Sequence, residues 1–198
     1  MQENIRRRQE KKLSGVWNKL TSDNKDRILI ALGLITFAVI SRTLPHPPNF
    51  APIAAIALFS GAILPRRLAL TLPLLAMVIS DVFIGMHDLV FVTWGSFVLM
   101  ALVASYGLKK VTAFKVFAYS FLGSVLFFVV TNFAVWAQSG MYPRTVAGLI
   151  DCYVLAIPFF RNTLVGDFVY SGIIFGAYYF ALNASALMKR HITNSHRT

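Results

Sequence analysis

Residues 132–171 read NFAVWAQSGMYPRTVAGLIDCYVLAIPFFRNTLVGDFVYS, and the way this stretch is framed decides the fold. It joins two long apolar runs, taking in the end of 111–138 and the start of 163–187. Runs of that length suit helices crossing a hydrocarbon core of roughly 30 Å, which takes about 20 predominantly apolar residues. Between them, Trp136, Tyr142, Arg144, Asp151, Cys152, Tyr153, Arg161, Asn162 and Asp167 alternate with Leu, Ile, Val and Phe. A solvated linker would be rich in small polar residues; this mixture suits the wall of a partly buried pocket.

Composition extends the reading to the whole chain. Of 198 residues, 57% are hydrophobic and 14% charged, well below the roughly 25% charged residues of soluble domains. Backbone polar groups in lipid must satisfy one another, so a chain of this make-up reads as an all-α, multi-span membrane protein with the bilayer as its first partner. The net charge of +11 raises nucleic acid as a partner. However, the basic residues flank apolar runs instead of interleaving with aromatic residues on a surface, so they read as topology signals and nucleic acid is set aside. The single cysteine allows no intramolecular disulfide and gives no redox compartment. Residues 1–27 are charged throughout, with no short cleavable apolar region after them, so no signal peptide is read.

Punctuation then divides the chain into a basic tail (1–27), a transmembrane domain of six helices (28–187) and a second basic tail (188–198). In the first tail Ile5, Leu13, Val16, Trp17 and Leu20 share a face, which fits a helix lying on the membrane surface as well as a solvated tail. Span one covers 28–43 and stops at the prolines Pro45, Pro47 and Pro48. Span two, 50–64, is short and carries Ala51, Ala54, Ala55, Ala57 and Gly61 at spacings that let another helix approach closely. Spans three and four follow at 68–85 and 89–108, span five at 111–138 and span six at 163–187. Between the last two, 144–157 has an amphipathic pattern too short to span, which predicts a helix across the outer mouth ended by Pro158.

Cytoplasmic loops carry the excess of Lys and Arg. With the N-terminus inside, six spans place all but Arg42, Arg144 and Arg161 of the 19 basic residues on the inner side. Both termini are therefore expected in the cytoplasm of a cell that holds this protein in its inner membrane. Asp81, Asp88, Asp151 and Asp167 fall toward the outer ends of spans or in the outer loop, and Arg144 and Asp151 stand seven apart, on one face of a helix. Ionisable groups at membrane depth are costly and are paired or functional. In span five, Ser120, Ser124, Phe128, Asn132 and Trp136 form an i+4 stripe predicted to face the bundle interior. The candidate binding residues are Asn132, Trp136, Tyr142, Arg144, Arg161, Asn162 and Asp167, with Asp81 nearby. Interhelical hydrogen bonding for Asn132, a belt role for Trp136 and helix-end salt bridges for the charges are the structural alternatives.

No nucleophile–base spacing, glycine-rich phosphate loop or cofactor motif is present, and His46, His87 and Asp88 are weak as a metal set. The chain is read as a binding and transport protein and not as an enzyme. A membrane-integral enzyme, or a structural or assembly factor, is the alternative.

Four segments, PHPPNFAPIAAIALFSGAIL, LPLLAMVISDVFIG, FFVVTNFAVWAQSGMYPRTVAGL and CYVLAIPFFRNTLVGDFVYS, carry a resemblance to the substrate-binding S-components of energy-coupling factor (ECF) vitamin transporters, and to uncharacterised bacterial membrane proteins related to them. The likeness covers about residues 28–187 and includes span three ending in Asp-x-x-x-Gly, here Asp81 and Gly85. It implies a six-helix domain that takes up a vitamin-like small molecule through an outward-facing pocket closed by the loops at 42–49, 85–88 and 138–162. It further implies an ATPase module as energising partner. Span one, ILIALGLITFAVIS, departs from the family by lacking the Ala-x-x-x-Ala used for docking that module, a spacing found here at Ala51 and Ala55 in span two. Energising by such a module and solitary transport both stay open.

Overall fold

The structure, a computed structural model, describes the backbone of residues 24–195 and the side chains of residues 25–184. The expected surface helix of the N-terminal tail and the last basic residues lie outside that range. Seven helices form the described part, with no strand among them: α1 (Asn24–Thr43), α2 (Ile53–Ile63), α3 (Arg66–Ile84), α4 (Val90–Gly107), α5 (Ala113–Gln138), α6 (Val146–Leu155) and α7 (Ile157–Ser195). Short connections make consecutive long helices run up and down the bundle, and α6 is the one insertion.

The bundle is built around its shortest membrane-depth element. Every residue of α2 from Ile53 to Gly61 is buried, as expected for a helix apolar on all sides. Small side chains set how closely its neighbours approach: a Cβ on Gly61 would stand 2.3 Å from the Ala101 carbonyl oxygen and 2.7 Å from Ala104 Cβ of α4. A second lock joins α2 to α3. Pro73, inside α3, has no N–H to give the Ala69 carbonyl four residues earlier. Ser60 Oγ of α2 donates to that carbonyl instead, at 3.0 Å, so a kink-prone site becomes an interhelical hydrogen bond.

Among the described residues, four helices are long and apolar enough to cross a membrane: α3, α4, α5 and the Ile157–Ala184 part of α7. The sequence reading expects six spans. The difference lies in α2, with 11 residues, and in α1, whose charges Lys25, Asp26, Arg27 and Arg42 crowd both ends of its apolar run. Around the outside, Leu29, Phe83, Phe91, Phe114, Leu122 and Phe180 are exposed. Such a belt would be a liability in water and is ordinary in lipid. This is the architecture of a helical membrane protein.

The helix expected near 144–157 forms, capped by Thr145, whose hydroxyl accepts from Gly148 N–H. Its position differs from the expected one across the mouth. Cys152 Sγ donates to the Asn132 carbonyl and Tyr153 Oη to the Val129 carbonyl at 2.7 Å, which seats α6 along the flank of α5. Its outward residues Val146, Ile150 and Val154 are apolar. Pro158 does not close α6; it sits in the first turn of α7, where its missing N–H has no helical acceptor to disappoint.

Candidate ligand-binding cavity

The length mismatch between α2 and its neighbours creates a cavity. Eleven residues rise about 16 Å, whereas the 26 residues of α5 rise about 39 Å. The space left above the N-terminus of α2 is floored by Ala51, Ile53 and Ala54 and walled by α3, α4, α5 and α7. Its volume is about 380 Å³, within the range of small-molecule sites. His46, Asn49, His87 and Phe159 line it and are exposed, so the cavity opens at this end of the bundle.

Two kinds of surface face the space. One is aromatic and soft: Phe97 and Phe127 stack with ring centroids 5.0 Å apart, Phe128 tilts on Phe160 at 4.8 Å, and Met77 and Met100 complete the apolar wall. The other is polar: Arg42, Thr93, Thr131, Asn132, Thr163 and Asp167. Asn132 Nδ2 donates to the Phe128 carbonyl of its own helix at 2.8 Å, leaving its amide oxygen for the cavity.

Two buried carboxylates are treated differently. Asp81, 1% exposed, is held by Arg42 Nη1 at 2.7 Å and by Trp94 Nε1 at 2.7 Å. Arg42 Nη1 also reaches Ser80 Oγ. This ion pair ties the end of α1 to α3, and Gly85, at φ +110, lets the chain leave α3 directly after it. Asp167, 2% exposed, has no basic partner among the described residues. Its Oδ2 accepts from Ser124 Oγ at 2.6 Å. One turn further from the mouth, Ser120 and Ser171 hydroxyls meet at 2.8 Å, so two polar rungs join α5 to α7 under the cavity.

Of the residues singled out by sequence, the fold brings Asn132 and Asp167 to the cavity wall. Asp81 stands behind it, through Arg42. Trp136 Nε1 donates to the Pro143 carbonyl at 3.0 Å, closing the turn after α5, and Asn162 Nδ2 donates to the Pro48 carbonyl at 3.1 Å, tying α7 to the proline-rich loop. Tyr142 is half-buried, Arg144 and Arg161 are exposed, and none of the three is at the wall. Arg144 and Asp151, paired by spacing, form no ion pair; both are exposed. The i+4 stripe of α5 faces inward through Ser120, Ser124, Phe128 and Asn132, the two serines fully buried, but not at its end, Trp136.

Sequence reasoning passed over Arg42, Trp94, Phe97, Phe127 and Thr163. Arg42 carried a signal: it is a cation at the end of an apolar run, with Asp81 at the end of another. The phenylalanines carried none, since a Phe at the wall and one facing lipid read alike. No group of three His, Cys, Asp or Glu among the described residues could hold a metal ion.

Helices of spanning length around a cavity that is part aromatic and part polar define a class, helical membrane proteins with an internal cavity. The chain belongs to a family of unknown function, DUF6580, whose pattern matches residues 22–190. No curated protein matches the chain, and no solved structure does.

Proposed function

We propose that this protein binds a small molecule in the cavity above α2 and serves its uptake across the cytoplasmic membrane, without transforming it. The observation that carries the reading is the wall of the cavity: rings that can hold a flat ligand, beside a buried carboxylate and an amide that can fix its polar edge. The proposal places six spans in the membrane, counting α1 and the short α2 among them, with both termini cytoplasmic and the cavity mouth outside. The positive-inside count supports this orientation, because the basic turn at Arg66 and Arg67 and the pair Lys109 and Lys110 lie at the end opposite the mouth. A vitamin-like ligand and an S-component-like mode of uptake follow from the sequence resemblance, with the loops at 42–49 and 85–88 contributing His46, Asn49 and His87 to the wall. The energising partner is either an ECF-type ATPase module or none.

Gentle purification followed by mass spectrometry of extracts tests the binding step. A small molecule is expected to co-purify with the wild-type protein and with Arg144→Ala, and to be lost from Asn132→Ala. Retention in Asn132→Ala would remove this wall from the site. Turnover of a substrate, or a stable protein partner with no ligand, would favour an enzyme or an assembly factor.

A further inference from the structure

We infer that the cavity selects an organic cation with a flat aromatic body, its positive group meeting Asp167; the inference rests on the binding role proposed above. Charge balance argues it. Four ionisable side chains line the cavity: Arg42, His46, His87 and Asp167. The charge of Arg42 is already met by Asp81 at 2.7 Å, and that pair is neutral as a unit. His46 and His87 stand at the exposed mouth. Asp167 is left as the one buried ionisable group at the wall, among the described residues, without an opposite charge beside it.

Its surroundings do not supply the missing charge. Ser124 gives one hydrogen bond to Oδ2, and no other donor meets the carboxylate among the described residues. The N-terminus of α2 opens toward the same space, yet a helix end contributes at most about half a charge and only within its first turn. A carboxylate in so dry a place is costly unless a partner arrives, and at membrane depth the usual partner is a cation or a functional ligand. The aromatic side of the cavity fits the same ligand, since Phe97, Phe127, Phe128 and Phe160 line it and aromatic rings attract both a flat ring and a positive group. A primary or quaternary amine on a one- or two-ring body satisfies both halves of the wall. A carboxylate on the same body would leave Asp167 unmet and would have to draw Arg42 away from Asp81.

Three probes of one shape and different charge separate the possibilities: tryptamine, indole-3-acetamide and indole-3-acetate, titrated calorimetrically into the purified full-length chain. Tryptamine is expected to bind most tightly, and Asp167→Asn to weaken it by roughly thirtyfold or more while weakening the amide far less. Equal binding of all three, or preference for indole-3-acetate, overturns the inference and leaves the binding role standing. The wild-type ranking decides this even if Asp167→Asn does not fold. The identity of any co-purified molecule is the second readout: a cation supports the inference, and a neutral or anionic compound overturns it. No co-purified molecule together with no binding of any probe overturns the binding role, and the inference with it.

Discussion

At the scale of single residues, the two buried aspartates show how position decides cost. Asp81 is compensated by a guanidinium and an indole N–H, so removing Arg42 strands a carboxylate that is 1% exposed. Arg42→Met is expected to destabilise the fold by about 3 kcal/mol, and the double variant Arg42→Met/Asp81→Leu to recover most of that loss. Unfolding in detergent followed by circular dichroism measures both; equal stability of the single and double variants would show that the stranded carboxylate is not what costs the single variant its stability. Cys152 gives a second expectation. Burial pushes its thiol above the ordinary value. A raised value means less thiolate at neutral pH, so iodoacetamide should modify Cys152 more slowly than a free cysteine at pH 7 and faster as the pH rises. Labelling at the free-cysteine rate would mean that α6 does not stay on α5.

At the scale of elements, α2 is held by two devices with different sensitivities. Gly61→Ala puts a methyl against backbone of α4 that cannot yield, and overpacking of this kind costs about 1–3 kcal/mol. Gly33 and Gly172 have nothing within 4 Å of a Cβ, so the same change there is expected to stay within about 0.5 kcal/mol or to stabilise. Melting temperatures of the three variants compare them directly. The second device, Ser60 on the Ala69 carbonyl, exists because Pro73 cannot bond there. Ser60→Ala should therefore cost roughly 1–2 kcal/mol, and less in a Pro73→Ala background, where α3 can satisfy that carbonyl itself. A cycle with no coupling between the two sites would contradict this account.

At the scale of the whole molecule, the cavity is a consequence of unequal helix lengths, not of any one loop. Extending the buried helix upward is the direct way to remove it. Ala54→Phe, on the cavity floor, is expected to abolish ligand binding, with little change in the helical circular dichroism of the protein. The proposed orientation has its own check: green fluorescent protein fused at either terminus should fluoresce, and alkaline phosphatase fused there should stay inactive. Activity of the phosphatase at one end would mean an odd number of crossings.

Much of this was legible in the residues. Apolar runs and prolines placed α1 to α6 to within a few positions, because those signals are local and act through backbone geometry. The inward stripe of α5, with Asn132 in it, followed from helical periodicity alone, and Asp167 from being ionisable at membrane depth. Periodicity could not say which helix would face which, since that depends on side chains far apart in the chain. It therefore missed that Arg42 and not Arg144 meets a carboxylate, that α6 lies on the flank of α5 and not over the opening, and that Arg161 is exposed and not at the cavity wall. The sequence by itself determined that this chain is helical and apolar enough for a membrane. Only the tertiary structure decided where a ligand fits, because the space arises from stacking helices of different length around a short one.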